Sequence, residues 1–275
     1  MDRSRWLHLP TLLLAVSFAR PAFAGTSPPG VNLRWDACYA DGGARNKNFA
    51  CNTNDGQDQL VASFEVDQIV GPVVTEEITI DLRAASAALP AWWQVFNAGS
   101  CRPLALDFVP FPSSDPSACE QWLAYPVGGG IEAYTVGEQG PEHVRVGAAI
   151  AMTTAHAATL TPGHEYFGFR LTLDHTKTLG AGACAGCTTP VCIFLSRITL
   201  YAPNNPTPLI SLDHGANYLG SQYVTWQNGY PIDVQRECDP AAPACAFHYT
   251  SFDCVLATPT ATQRTTWGAV KALYR

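Results

Sequence analysis

The ten cysteines of this 275-residue chain constrain its fold more than any other feature of the sequence. An even number of cysteines in an exported chain is typical of a disulfide framework, because paired thiols persist in an oxidising compartment. Each closed loop is expected to stabilise the folded state by about 2–4 kcal/mol, mainly by restricting the unfolded chain. All ten lie after residue 24, at Cys38, Cys51, Cys101, Cys119, Cys184, Cys187, Cys192, Cys238, Cys245 and Cys254.

Three of these cysteines fall within GACAGCTTPVC, residues 182–192, and three chemistries are open to them. A zinc site would need a fourth ligand, for which His175 or Cys254 could serve, but thiolate sites are mostly found in reducing compartments. A redox CxxC motif should open a helix after a buried strand, whereas this one precedes the β-rich run VCIFLSRITLY. We therefore favour disulfides.

Spacing along the chain favours bridges between near neighbours. We predict Cys38–Cys51 and Cys101–Cys119 as hairpin-like closures. Each of the two remaining clusters can then close one local bridge, and one cysteine from each can join the C-terminal region to the preceding body. The sequence leaves the final connectivity open for these two clusters, 184/187/192 and 238/245/254.

The first 24 residues have the layout of a secretory signal peptide. Arg3 and Arg5 precede an apolar stretch, Leu7–Ala19, and Ala22-Phe23-Ala24 supplies small residues at the −3 and −1 positions of a cleavage site. The apolar stretch has about 13 residues, whereas a bilayer span takes roughly 20. We expect cleavage after Ala24 and a secreted or cell-surface protein without a membrane span in the mature chain.

The charge of the mature chain argues against nucleic acid as a partner. Removal of residues 1–24 takes away three arginines and one aspartate, which changes the formal net charge from −7 to −9. The lysines are Lys47, Lys177 and Lys271, so the chain lacks the basic footprint that binds nucleic acid. An extracellular glycan or a surface protein is the partner that we expect.

Alternation of apolar and polar residues predicts a chain built mostly of β-strands. In TEEITIDLRA, residues 75–84, the apolar residues share one face. EYFGFRLTLDH, residues 165–175, repeats this pattern with Phe167, Phe169, Leu171 and Leu173 on one face. In VCIFLSRITLYA, residues 191–202, the apolar parity changes after Leu195, which predicts a bulge near Ser196-Arg197.

The fold class follows from the number of such runs. Weaker runs begin at 59, 103, 130, 143, 208, 223 and 247, and turn signals separate them. We predict an all-β chain, an antiparallel β-sandwich of jelly-roll type that is stapled by disulfides and carries one or two short helices, one of them within 86–97. A parallel β-helix is the main rival, but no fixed short repeat supports it. The predicted domains are a signal peptide at 1–24, the β-sandwich at 25–257, and a Thr/Pro linker with a short amphipathic tail at 258–275.

The aromatic residues raise the question of carbohydrate binding. Exposed tryptophan rings can stack on sugar rings, whereas packing in the core is the alternative role for each of them. The candidate ligand-binding residues are Trp92, Trp93, Trp122 and Trp226.

An Asx-rich turn raises the question of calcium. CNTNDGQDQL, residues 51–60, packs oxygen-bearing side chains around Gly56, and oxygen ligands suit calcium. The spacing departs from the EF-hand pattern, so a plain turn between two strands is the alternative. We predict no other cofactor and leave a calcium site open at Asn52, Asn54, Asp55 and Asp58.

Two functions remain open for this chain. Motifs for a hydrolase elbow, a zincin, a P-loop and a dinucleotide site are absent from the sequence, which favours a non-catalytic module for adhesion, structure or carbohydrate binding. The alternative is an extracellular hydrolase acting on a polysaccharide, which needs two carboxylates. Enzymatic activity is left open, because nothing in the sequence selects two among Glu76, Glu77, Glu132, Glu138, Glu142 and Glu165.

Several segments together resemble a group of exported proteins from environmental bacteria to which no activity is assigned. They are GVNLRWDAC at 30–38, NKNFACNTN at 46–54, LPAWWQ at 89–94, CAGCTTPVC at 184–192 and the terminal TWGAVKALYR. The resemblance implies an exported, cysteine-bearing domain of β type. The last segment carries an apolar stripe at helical spacing, which fits a sorting signal or a segment that docks on the domain.

Overall fold

The computed structural model describes residues 30–110, 119–213, 221–238 and 247–257. The predicted signal peptide at 1–24 and the tail at 258–275 lie outside the described residues. So do the side chains of Cys238 and Cys245. No helix within the described ranges is long and apolar enough to cross a membrane.

Fifteen strands and two short 3-10 helices, Ala91–Trp93 and Thr154–His156, make up the described chain. The strands are β1 Gly30–Trp35, β2 Asn46–Lys47, β3 Gln57–Glu65, β4 Val70–Val73, β5 Thr75–Ala84, β6 Leu106–Val109, β7 Val127–Val136, β8 His143–Met152, β9 Ala158–Leu160, β10 Tyr166–Asp174, β11 Val191–Tyr201, β12 Pro208–Leu212, β13 Tyr223–Trp226, β14 Gly229–Cys238 and β15 Phe247–Leu256.

The strands form two main sheets, which confirms the predicted antiparallel β-sandwich. The small sheet has the order β1-β3-β10-β6, and the large sheet has the order β2-β13-β11-β5-β8-β7, with β12 also paired to β11. Neighbours in both sheets run antiparallel except β2 and β13. Two further strand pairs, β14-β15 and β4-β9, complete the described part.

The core lies between the two sheets, where alternation directs the apolar side chains. In β5, Ile78, Ile80 and Leu82 are buried against residues of the small sheet such as Leu60 and Phe64. Removing such side chains from water contributes about 25 cal/mol per Å² of apolar surface. A small apolar cavity of about 40 Å³ remains between the sheets.

Bulges in β10 and β11 change which side chains face this core. The strand register shifts between Leu195 and Arg197 in β11, which confirms the predicted bulge. A second shift, between Phe167 and Phe169 in β10, was not predicted. It places Phe167 on the outer face with Val61, so the predicted common face of Phe167 and Phe169 is wrong.

Within the described ranges, four disulfides tie distant parts of the chain together: Cys38–Cys119, Cys51–Cys187, Cys101–Cys184 and Cys192–Cys254. They confirm the disulfide interpretation of GACAGCTTPVC and indicate an oxidising environment. The predicted bridge from this cluster to the C-terminal region is confirmed by Cys192–Cys254.

The predicted near-neighbour pairs Cys38–Cys51 and Cys101–Cys119 are wrong, as is a local bridge within 184/187/192. Cys38 follows β1 of the small sheet, whereas Cys51 follows β2, which pairs with β13 of the large sheet. Cys38 and Cys51 are therefore close in sequence but belong to different sheets.

Candidate functional site

The four candidate tryptophans lie in the interior. Trp92 and Trp226 are fully buried and stack on each other with ring centroids 5.2 Å apart, while Trp93 and Trp122 are 2% and 7% exposed. The indole N–H groups of Trp92, Trp122 and Trp226 donate to Thr178 Oγ1, the Phe167 carbonyl and the Cys187 carbonyl. These rings therefore pack the core and offer no open face on which a sugar could stack.

The residues predicted for calcium do not converge on one point. The Asn54 side chain donates to the Leu179 carbonyl (3.2 Å) and accepts from the Leu179 N–H (2.8 Å), while Asn52 is exposed. Asp58 instead points into the protein, and Asp55 lies on the exposed turn. Within the described ranges, no group of three or more His, Cys, Asp or Glu side chains could hold a metal ion.

Asp58 belongs to a chain of charged groups at one end of the sandwich. Its carboxylate lies 2.9 Å from Lys47 Nζ and 2.8 Å from His175 Nε2, and Lys47 also contacts Asp36. Burial alone would lower the pKa of Lys47, but its hydrogen bonds to Asp36 and Asp58 raise it above the ordinary value. The His175 ring also stacks on Phe49, so this cluster fixes the Asx-rich turn against the aromatic core.

A second polar cluster lies on the outer face of the large sheet. Asp81 accepts hydrogen bonds from Ser196 Oγ (2.5 Å) and Arg145 Nε (2.9 Å), and His143 Nε2 lies 2.9 Å from the same carboxylate. Burial by itself would raise the pKa of Asp81, but the bonds to these three groups hold it below the ordinary value.

The order of these groups does not match a catalytic triad. In a triad the nucleophile contacts the histidine, and the acid orients that histidine from behind. Here the carboxylate of Asp81 lies between Ser196 and His143 and binds both. The arrangement therefore stabilises the sheet surface and gives Ser196 a carboxylate neighbour in place of the histidine of a triad.

The six candidate glutamates are spread over different parts of the molecule. Glu76 is fully buried, and neither of its oxygens has a hydrogen-bond partner in the part of the chain that the structure describes. Burial raises its pKa to about 8. The others lie on outer faces and loops: Glu77 binds Tyr201, Glu138 binds Arg145, Glu142 lies near Arg83, Glu165 binds Ser63 and two backbone N–H groups, and Glu132 is exposed.

A concave site lies beside β7, the last strand of the large sheet. It has a volume of about 250 Å³, and we call it the polar pocket. Tyr134 and Val136 of β7 form one wall, on the face that they share with the core residues Val144 and Val146. The rest of its lining comes from the loop after the first 3-10 helix: Gln94, Asn97, Ala98, Gly99 and Ser100.

Hydrogen bonds fix the loop wall of the polar pocket in place. Asn97 Nδ2 donates to the Tyr134 carbonyl (2.9 Å), and the Tyr134 hydroxyl donates to the Trp93 carbonyl. The Ser100 N–H closes a turn onto the Asn97 carbonyl (3.0 Å). Gly99 supplies the turn with φ +78°, a value that side-chain-bearing residues adopt at a cost.

A larger, more open depression of about 340 Å³ lies over Cys51, Cys184 and Cys187. Its wall consists of disulfides, glycine, alanine and two threonines. Thr178 already accepts from Trp92 and donates to the His175 carbonyl, so few side-chain groups remain for a ligand. The polar pocket offers more varied chemistry.

Sequence reasoning did not find the polar pocket. Gln94, Asn97 and Ser100 lie in a loop without periodicity, and their wall partners Tyr134 and Val136 are about forty residues further along the chain. Comparison of the chain with protein-family models and with curated proteins gives no match. The assignment of roles to these residues therefore rests on geometry and chemistry.

Proposed function

We propose that this protein is an exported, non-catalytic β-sandwich module that binds an extracellular partner, in adhesion, surface structure or carbohydrate binding. One observation carries the proposal. The polar pocket is lined by amide, hydroxyl and apolar groups and by no carboxylate, imidazole, thiol or amine. Such a lining can bind a ligand by hydrogen bonds but holds no acid–base pair of ordinary pKa.

The contacts of the ionisable groups also support a non-catalytic role. The carboxylates of Asp58 and Asp81 are bound by their own neighbours, at distances of 2.5–2.9 Å. A hydrolase acting on a polysaccharide is the alternative, and it would need two carboxylates facing each other across a groove.

Export is supported by the four described disulfides together with the leader-like sequence at residues 1–24. The bridges hold loops on both sheets, which suits a protein that presents a fixed surface outside the cell. A non-reducing mass measurement on native protein tests this part. A mass that matches a chain beginning at Gly25 with oxidised cysteines supports export. A mass that matches an intact leader with free thiols contradicts it.

A glycan array and a panel of extracellular proteins, run beside a hydrolysis screen on the same polysaccharides, test the binding role. Binding without release of reducing ends supports the proposal. Turnover that is abolished by a single Glu→Gln substitution would replace it with the hydrolase alternative. If the protein neither binds nor hydrolyses anything on either panel, the proposed binding function is overturned.

A further inference from the structure

We propose that the polar pocket binds one neutral pyranose ring of a glycan, an inference that rests on the proposed binding function. The pocket is small, about 250 Å³, below the roughly 300–1,000 Å³ of pockets that hold drug-sized ligands. A single sugar ring is a ligand of suitable size.

The hydrogen-bonding groups of the pocket suit vicinal hydroxyls. Each amide side chain offers two N–H hydrogens and a carbonyl oxygen, and a sugar hydroxyl both donates and accepts. The Gln94 amide donates one N–H to the Leu89 carbonyl at 3.4 Å, and the Asn97 amide donates one to the Tyr134 carbonyl. Both amides therefore keep a second N–H and an oxygen for a ligand. Ser100 Oγ is buried from solvent, so the two amides are the polar side chains that a ligand in the pocket can reach.

The charge of the lining selects a neutral sugar. No lysine, arginine or histidine lines the pocket, so the carboxylate of a uronic acid or the sulfate of a sulfated sugar would lose water without gaining a cation. The chain also carries a formal net charge of −7, which repels anions at longer range.

The apolar wall suits the C–H face of a pyranose. Val136 is 43% exposed, and it lies next to the buried ring of Tyr134. A sugar binds by both its polar edge and its apolar face, and the lining of this pocket includes both kinds of surface. The loop amides suit the hydroxyls of one ring, and the β7 side chains suit its C–H groups.

The pocket is held in shape before any ligand arrives. Ser100 is followed directly by Cys101, which is bridged to Cys184. The next residue, Arg102, bonds its N–H to the Gln94 carbonyl (3.1 Å) and its guanidinium to the Trp92 carbonyl (2.6 Å). A loop fixed in this way loses little conformational freedom on binding, which favours affinity for a small ligand.

The test is NMR titration of the mature, oxidised protein with three neutral probes: the methyl glycosides of β-glucose, β-galactose and α-mannose. Methyl β-glucuronide is the charged counterpart. We expect at least one neutral probe to shift the amide resonances of 94–100 and 134–136, and the glucuronide to leave them unchanged.

Variants separate the pocket from the rest of the surface. Gln94→Ala removes one amide from the pocket and should weaken binding roughly five- to tenfold. Ala98→Trp fills the pocket from an exposed loop position and should abolish binding, while Gln57→Ala, at an exposed position on β3, should leave binding unchanged. Thermal unfolding of each variant checks that it folds, and Gln94→Ala keeps the test valid if Ala98→Trp does not fold.

Three outcomes would overturn the assignment in distinguishable ways. Neutral sugars that bind but shift other residues, or that bind Ala98→Trp normally, remove the pocket and leave the binding function standing. Preference for the glucuronide removes the neutral-ligand assignment alone. Absence of binding to all four probes removes the sugar site, and the array and protein panel then decide whether the module binds anything else.

Discussion

Two acidic residues of one strand have opposite environments. Asp81 and Glu76 both lie in β5 and both are buried, at 6% and 0% exposure. Asp81 faces the outer surface and is met by Ser196, His143 and Arg145, whereas Glu76 faces the core and is met by none. Their pKa values accordingly move apart, downward for Asp81 and to about 8 for Glu76.

The face of β5 on which each acid lies therefore decides its charge state. Partners on the outer face stabilise the carboxylate, since three donors replace the water that burial removes. In the core the same group keeps its proton because ionisation would leave a charge among apolar side chains. Glu76 is therefore neutral at pH 7 in the folded protein, and Asp81 is charged.

The largest expected effect is on the pH dependence of stability. The unfolded Glu76 carboxyl releases its proton above its ordinary pKa of 4.5, whereas the folded one holds it to about pH 8. Unfolding therefore releases a proton in this window, and the free energy of unfolding falls as pH rises from 4.5 to 8, by roughly 4 kcal/mol at most. Guanidinium unfolding from pH 5 to 8.5 measures the slope in the native protein and in Glu76→Gln.

Glu76→Gln should flatten this slope, because glutamine does not ionise. Glu77→Gln is the matched control, since Glu77 is exposed on the other face of the same strand. Equal slopes in the native protein and in both variants would show that Glu76 is not the buried acid described here. Asp81 acts with the opposite sign: its lowered pKa contributes stability that is lost as pH falls through the folded value.

The next effect is the loss of the outer cluster. Asp81→Ala should lower the free energy of unfolding by about 3 kcal/mol at pH 7, because it leaves buried His143 and half-buried Arg145 without their shared acceptor. Asp107→Ala, at an exposed position of β6, is the control. Similar unfolding midpoints for the two variants would contradict the assigned role of Asp81.

The smallest effect tests one bond of the cluster. Ser196→Ala removes the hydroxyl that donates to Asp81 and should cost about 1 kcal/mol. Combined with Asp81→Ala, it should add little, since the two side chains share one interaction. A double-mutant cycle by chemical unfolding measures the coupling, and fully additive costs would show that the bond contributes nothing.

Much of the sandwich could be predicted from alternation alone. β5 has the predicted bounds, β8 begins at the predicted residue 143, and the β11 bulge followed from a change of parity in apolar residues. The β10 bulge could not be predicted, because Phe167 packs on the outer face and its apolar character hides the change. Glu76 alternates with Ile78 and Ile80 on the core face of β5, so its burial could be predicted from the sequence. The absence of hydrogen-bond partners around it among the described residues could not be predicted.

The candidate site was less predictable than the fold. The sequence suggested tryptophans as residues that stack on sugar rings. In the structure these large apolar side chains are buried in the core between the sheets. The polar pocket depends on a loop meeting an edge strand, and that meeting is set by sheet order. Disulfide partners were hidden for the same reason, since each bridge joins segments that the sheets bring together.

The four bridges have a consequence for how the chain matures. Their partners are 62 to 136 residues apart, and Cys184 and Cys187 serve two different upstream segments. Since ribosomes build a polypeptide from its amino end, Cys51 and Cys101 lack their bridge partners until the 184–187 turn has been made. These two bridges can therefore close only after all four strands of the small sheet have been synthesised, whereas Cys38 can pair as soon as Cys119 has been made.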